Sequence, residues 1–165
     1  MMSMTAIFGA FESGMIYAIL ALGVFLSFRT LNTPDLTVDG SVVTGAAASA
    51  MICAAGGHPI FALMASFVVG CAAGAVTALL NIKLKIQPLL AGILVMLGLY
   101  SINLRIMGGR PNISLMNNKT IYTGAESVLP ESYLYLIVNV IILIFLIALF
   151  YFFLNTRLGF ALRAT

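Results

Sequence analysis

Five apolar runs of about the length a bilayer core demands, some twenty residues each, alternate along the chain with short polar breaks. They cover residues 7–28, 36–55, 60–82, 88–104 and 133–154. Each predicts a membrane-spanning helix, so the expected fold is an all-α integral membrane domain with one polar, small-residue-rich or broken helix among its five. The breaks are a polar stretch after Arg29, the turn Gly56-Gly57-His58-Pro59, a basic link at Lys83 and Lys85, a long polar segment from Arg105 to Ser132, and the residues from 155 onward. The run 133–154 is the most hydrophobic and predicts a lipid-facing helix with Asn139 as its single mid-span polar group.

The stretch Arg29–Ser49, R-T-L-N-T-P-D-L-T-V-D-G-S-V-V-T-G-A-A-A-S, is the polar interruption around which the other runs are arranged. Pro34 can open a helix because its missing N–H would have been unpaired in the first turn, and Thr33 can cap the amides that follow. A helix from Pro34 places Asp35 and Asp39 four apart on one face, with Gly40, Gly45 and the following alanines as a close-packing flank. Two carboxylates at mid-bilayer would cost about 5 to 7 kcal/mol to insert. Such a helix needs protein neighbours or a water-filled cavity. Two readings of the pair stay open: solvated carboxylates at a membrane edge, or members of a translocation path together with Asn32 and Thr33.

Composition bears out the membrane assignment. Hydrophobic residues make up 62% of the 165 and charged residues 8%, against about 45 to 50% and 25% in soluble domains. No basic region or small-residue cleavage pattern marks the first run as a signal peptide, so it reads as a retained span. A net charge of +3 from eight basic and five acidic residues is too sparse for a nucleic-acid surface. Under the positive-inside rule, Arg29, Lys83, Lys85, Arg157 and Arg163 fall inside and Arg105, Arg110 and Lys119 outside. The N-terminus, loop 56–59 and segment 105–132 are then external and the C-terminus internal. Cys53 and Cys71 read as buried small residues, His58 as a plain turn residue, Gly70 and Gly74 as a helix-packing motif, and Tyr100, Ser101 and Asn103 as polar groups gathered at an interface or vestibule. No glycine-lysine nucleotide loop, nucleophile–base pair or metal-ligand spacing is present, which points to no cofactor, no metal and no catalytic residue.

Three pieces carry a resemblance: G-M-I-Y-A-I-L-A-L-G-V-F-L-S-F at Gly14–Phe28, L-N-T-P-D-L-T-V-D-G-S at Leu31–Ser41, and the terminal R-L-G-F-A-L-R-A-T. Together they resemble the permease subunits of ATP-binding-cassette (ABC) importers, in the group of the branched-chain amino acid permeases. Within that group Q-P-L-L-A-G-I-L-V-M-L-G-L-Y-S-I-N-L-R-I-M-G at Gln87–Gly108 is similar to permeases of the tryptophan or aromatic amino acid type, many of them uncharacterised systems. The resemblance implies a subunit of the bacterial plasma (inner) membrane that forms the path for an amino acid or related solute. It implies three kinds of partner: a separate ABC ATPase subunit, an extracytoplasmic solute-binding protein and a second permease in a homodimer or heterodimer. It also implies that Arg157, Gly159 and Arg163 open a cytoplasmic segment coupling to the ATPase, and that Arg105 and Arg110 dock the binding protein. Permeases of this kind carry further spans after that segment, so the chain looks like roughly their N-terminal half. The alternative is a non-transporting membrane scaffold or assembly subunit; an intramembrane enzyme has no reactive pair to support it.

Overall fold

The computed structural model describes residues 4–30, 35–115, 118–125, 134–157 and 159–160. Its helices are α1 (Met4–Phe25), α2 (Thr37–Ala54), α3 (Pro59–Leu84), α4 (Pro88–Ile106), the five-residue α5 (Ile121–Ala125) and α6 (Leu134–Leu154), with a π-helical turn at Leu26–Thr30 extending α1. Among the described residues, five helices are long and apolar enough to cross a membrane. They fall into two compact units, one holding α1 and α6 and the other, Thr33–Gly124, holding α2 to α5.

Local chemistry sets the ends of these helices. At the α2–α3 turn Gly56 adopts φ +79°, a left-handed conformation open to a residue without Cβ, while its N–H and that of Gly57 bond back to the carbonyls of Cys53 and Ile52. His58 is more than a turn residue. Its Nδ1 accepts the Ile60 N–H at 3.3 Å, capping α3, and Pro59 follows as the first helical residue. At the other end of α3, Lys85 turns left-handed at φ 52°, and the Asn81 amide donates to the Ile86 carbonyl at 3.1 Å. The long polar segment after α4 is not wholly irregular, since it contains α5; Thr123 Oγ1 accepts the Thr120 N–H at 3.0 Å as that helix begins.

In the second unit α2 lies against both α3 and α4. Gly45 faces the Ser66 carbonyl, where a Cβ would stand 3.3 Å from the oxygen. Thr37, further back on α2, meets Thr77, further on in α3, so the two helices run antiparallel. Gly92 lies beside Leu36 and Thr37, and Gly40 beside Met96 and Leu99, so α4 runs parallel to α2. A small apolar core of Ala73, Val95 and Leu99, with Leu80 against it, fills the space between them.

Several expectations change at this point. Helix α2 begins at Thr37, not Pro34: Asp35 and Leu36 are outside it, because the Asp35 carboxylate caps the chain there. Asp35 therefore precedes the helix, and the two aspartates do not share a helical face. The Gly70 and Gly74 pair makes no helix contact among the described residues, with open space beside both. The packed face of α3 is instead the stripe Ala62, Ala73 and Thr77, and Cys71, two positions before Ala73, is turned away and exposed while Cys53 is buried. Tyr100 and Ser101 are exposed but Asn103 is 6% exposed, since it continues the buried stripe Ala91, Val95 and Leu99 at one-turn spacing.

The first unit buries little. On α6, Leu134 and Asn139 are buried whereas Ile144, Phe145 and Phe152 are largely exposed, the pattern of a helix whose remaining faces meet lipid or other apolar helices.

Candidate functional site

The polar residues at the start of α2 meet α3 and α4 at one point. Asp35 Oδ1 accepts the Thr37 N–H at 2.8 Å, satisfying one of the amides a helix start leaves unpaired. Thr37, itself 1% exposed, pairs its hydroxyl with that of Thr77 at 2.8 Å. The Thr77 hydroxyl also lies 3.3 Å from the Ala73 carbonyl, to which it can donate. From the third side α4 presents Gly92, where an added Cβ would stand 3.0 Å from the Leu36 nitrogen and 3.4 Å from Asp35 Oδ1. Two turns into α2 the Thr44 hydroxyl donates to the Gly40 carbonyl at 2.7 Å, keeping a second buried hydroxyl satisfied. The arrangement anchors the end of a helix with its polar groups paired, as an apolar surround requires.

Asp39 sits differently. It lies in the first turn of α2, where the helix dipole favours a carboxylate by about 0.3 to 1 kcal/mol, and it is exposed, as are Val42, Val43 and Ala46 on the following turns. The structure thus separates the two aspartates: Asp35, half-buried, is engaged as a cap, and Asp39 faces away from the three-helix contact. Asn32, Thr33 and Arg163 lie outside the described residues. Arg105, in the last turn of α4, and Arg110 beyond it are both exposed, as is Arg157 after α6, whereas Gly159 is buried.

Sequence reasoning missed Thr37, Thr77 and Gly92 as members of this site. Hydroxyls are few in the 26-residue apolar helix α3, where Ser66 and Thr77 carry them, and that was a usable signal for Thr77, because in lipid a hydroxyl must find an acceptor. It also missed that Asn103 Oδ1 is buried without a hydrogen-bond partner among the described residues.

Five apolar helices, each long enough to cross a membrane, mark a multi-pass membrane protein, and one of them, α2, starts beside the Asp35 cap. The family model for the branched-chain amino acid transport system permease component matches residues 6–165, and the chain belongs to that family, which is one of permeases and not of enzymes. A tyrosine transport system permease protein of Clostridioides difficile (strain R20291) is 39% identical over 160 residues, 97% of this chain and 52% of that protein. An uncharacterised protein of Rickettsia prowazekii (strain Madrid E) is 38% identical over 118 residues, 72% of this chain and 41% of its own length. The chain thus spans about half the length of the curated relatives it matches. No solved structure matches it significantly.

Proposed function

We propose that the chain forms part of the transmembrane permease of an ATP-driven importer of amino acids, with aromatic amino acids as the solute class. What carries this reading is the family match over residues 6–165 together with the capped polar break at the start of α2; the solute class follows the name of the Clostridioides relative. ATP hydrolysis belongs to a separate ATPase subunit, solute delivery to an extracytoplasmic binding protein, and the path to a permease dimer in the bacterial plasma membrane. Asp39 is the described path residue, and Asn32, Thr33 and Asp35 form the polar approach to it.

The test is uptake of radiolabelled tyrosine by the intact importer in proteoliposomes. Asp39→Leu should insert at least as well as the parent, because it removes a carboxylate costly in lipid, yet lose most of the uptake. Asp39→Asn, which keeps polarity and removes charge, should fall between the two. Uptake at the parental rate by Asp39→Leu would return Asp39 to a solvated-edge role.

The topology proposed is that of the positive-inside reading, with the α2–α3 turn and segment 105–125 outside and Lys85 inside. That arrangement places Arg105 and Arg110 where a binding protein docks, and exposed charges at such a rim steer association in a salt-dependent way. Single cysteines at positions 119 and 85, in a background without Cys53 and Cys71, should differ in labelling by an impermeant thiol reagent added outside, with position 119 labelled and 85 protected. The reverse pattern would remove both the topology and the docking role of the arginines.

A further inference from the structure

The α2–α3 turn and the start of α5 frame an open cavity of about 570 Å³, lined by Gly57, His58, Pro59, Ile60, Lys119 and Ile121 among others. Its volume falls within the roughly 300 to 1,000 Å³ of small-molecule sites. Among the described residues no carboxylate lines it and Lys119 has no acidic partner. The two ionisable side chains on its walls are both donors. Because His58 Nδ1 accepts the Ile60 N–H, its proton sits on Nε2, which leaves that N–H available. Thr123 Oγ1 offers little to a ligand, since it already accepts the Thr120 N–H at 3.0 Å and donates to the Thr120 carbonyl at 2.6 Å. Beside the donors stand Ile60, 60% exposed, and Ile121, 39% exposed, with Pro59 between the turn and α3. A cation, a neutral donor and an adjoining apolar wall in one amino-acid-sized space match a solute bearing a carboxylate on an apolar body.

We propose that this cavity is a carboxylate-binding solute site. Lys119 supplies the opposite charge, His58 Nε2 a second hydrogen bond, and Pro59, Ile60 and Ile121 the surface for the solute's side chain. The site is distinct from the polar contact at the start of α2, which lies at the opposite end of that helix. It rests on the reading of the chain as part of an amino acid permease, and on the topology proposed above it would receive solute at the outer rim.

The experiment measures binding of three probes to the intact permease in nanodiscs with no binding protein present: tyrosine, 3-(4-hydroxyphenyl)propionate, which lacks the ammonium, and tyramine, which lacks the carboxylate. Both carboxylates should bind and tyramine should bind at least about tenfold more weakly, the size expected for losing one charge-assisted bond. Lys119→Met should weaken both carboxylates by a similar factor. Lys119→Arg should preserve binding, and Lys85→Met, at the other end of α3, should leave it unchanged. Carboxylate binding unaffected by Lys119→Met, or tyramine binding equal to tyrosine, would overturn the proposal. So would an absence of free carboxylate binding combined with loss of binding-protein capture in Lys119→Met, since the cavity would then take a protein side chain. Import of amino acids by the intact transporter without carboxylate binding here refutes this site alone, whereas carboxylate binding without import refutes the transport reading and leaves the site standing.

Discussion

Gly92→Leu is expected to destabilise the intact permease by about 2 to 5 kcal/mol and to abolish uptake. The position leaves no slack: a Cβ there would lie 3.0 Å from the Leu36 backbone nitrogen, 3.5 Å from that of Thr37 and 3.4 Å from Asp35 Oδ1. Backbone cannot rotate away as a side chain can. Overpacking of this kind costs typically about 1 to 3 kcal/mol, and displacing Asp35 from the Thr37 amide removes a cap worth about 0.5 to 2 kcal/mol. Gly92→Ala should show a smaller loss of the same origin. On the same helix, Gly98 has nothing within 4 Å of an added Cβ, and Gly98→Ala should stay within about 0.5 kcal/mol of the parent. Thermal unfolding in detergent compares the three variants. Equal midpoints for Gly92→Leu and Gly98→Ala would show that α4 does not press on the start of α2.

The number and rough placement of the spans could be read directly from the sequence because a bilayer sets both length and apolarity, and residues 7–28 to 133–154 satisfy both without long-range information. Helix pairing could not. The Gly70 and Gly74 spacing is a valid packing motif on one helix, yet the buried positions are Ala73, one residue before Gly74, which packs with Val95 and Leu99 of α4, and Thr77, three residues after it, which meets Thr37 of α2. Little in the local pattern distinguishes these faces, since α3 is apolar on most sides and offers only a few polar cues such as Ser66 and Thr77. The start of α2 shows the same limit at finer scale. Pro34 and Thr33 are good opening signals, but Asp35 competes for the role of cap by bonding the amide two residues on, and the helix begins at Thr37. That shift changes the standing of both carboxylates. Asp35 is engaged at the three-helix contact, while Asp39 moves from one turn inside the helix to its first turn.

Buried polar groups were harder still. Thr37, Thr77 and Asn103 are each ordinary in sequence, and their meaning depends on which neighbours arrive: Thr37 and Thr77 satisfy one another at 2.8 Å, whereas Asn103 Oδ1 has no partner among the described residues. In a membrane an interhelical hydrogen bond averages only about 0.6 kcal/mol. The Thr37–Thr77 pair therefore contributes more to fixing the register of α2 on α3 than to total stability.

Gly159→Leu should leave the membrane helices folded and sever the proposed coupling to the ATPase. At the end of α6 the Thr156 N–H bonds the Phe153 carbonyl at 3.0 Å, and the Thr156 hydroxyl donates to the same carbonyl at 2.6 Å. Thr156 then starts a new turn: its carbonyl accepts the Phe160 N–H at 3.0 Å and its hydroxyl accepts the Gly159 N–H at 3.4 Å. The new turn folds back so closely that a Cβ on Gly159 would overlap the backbone of Leu154, including its carbonyl group. Any side chain at 159 must push this turn away from α6 by on the order of 1 Å or more to restore normal contact distances. Arg157 and Phe160, both exposed, move with it, and a partner groove that fits them in one position does not fit them in another. The atoms nearest an added Cβ at 159 all belong to Leu154 at the end of α6, and the contacts among α2, α3 and α4 lie within the other unit. Expression and unfolding midpoint should therefore remain near the parent, while co-purification of the ATPase and tyrosine uptake are lost. Thr156→Ala, which removes the cap but not the fit, should weaken both by less, in line with a cap worth about 1 kcal/mol. Retention of the ATPase and of uptake by Gly159→Leu would place the coupling contact elsewhere in the transporter.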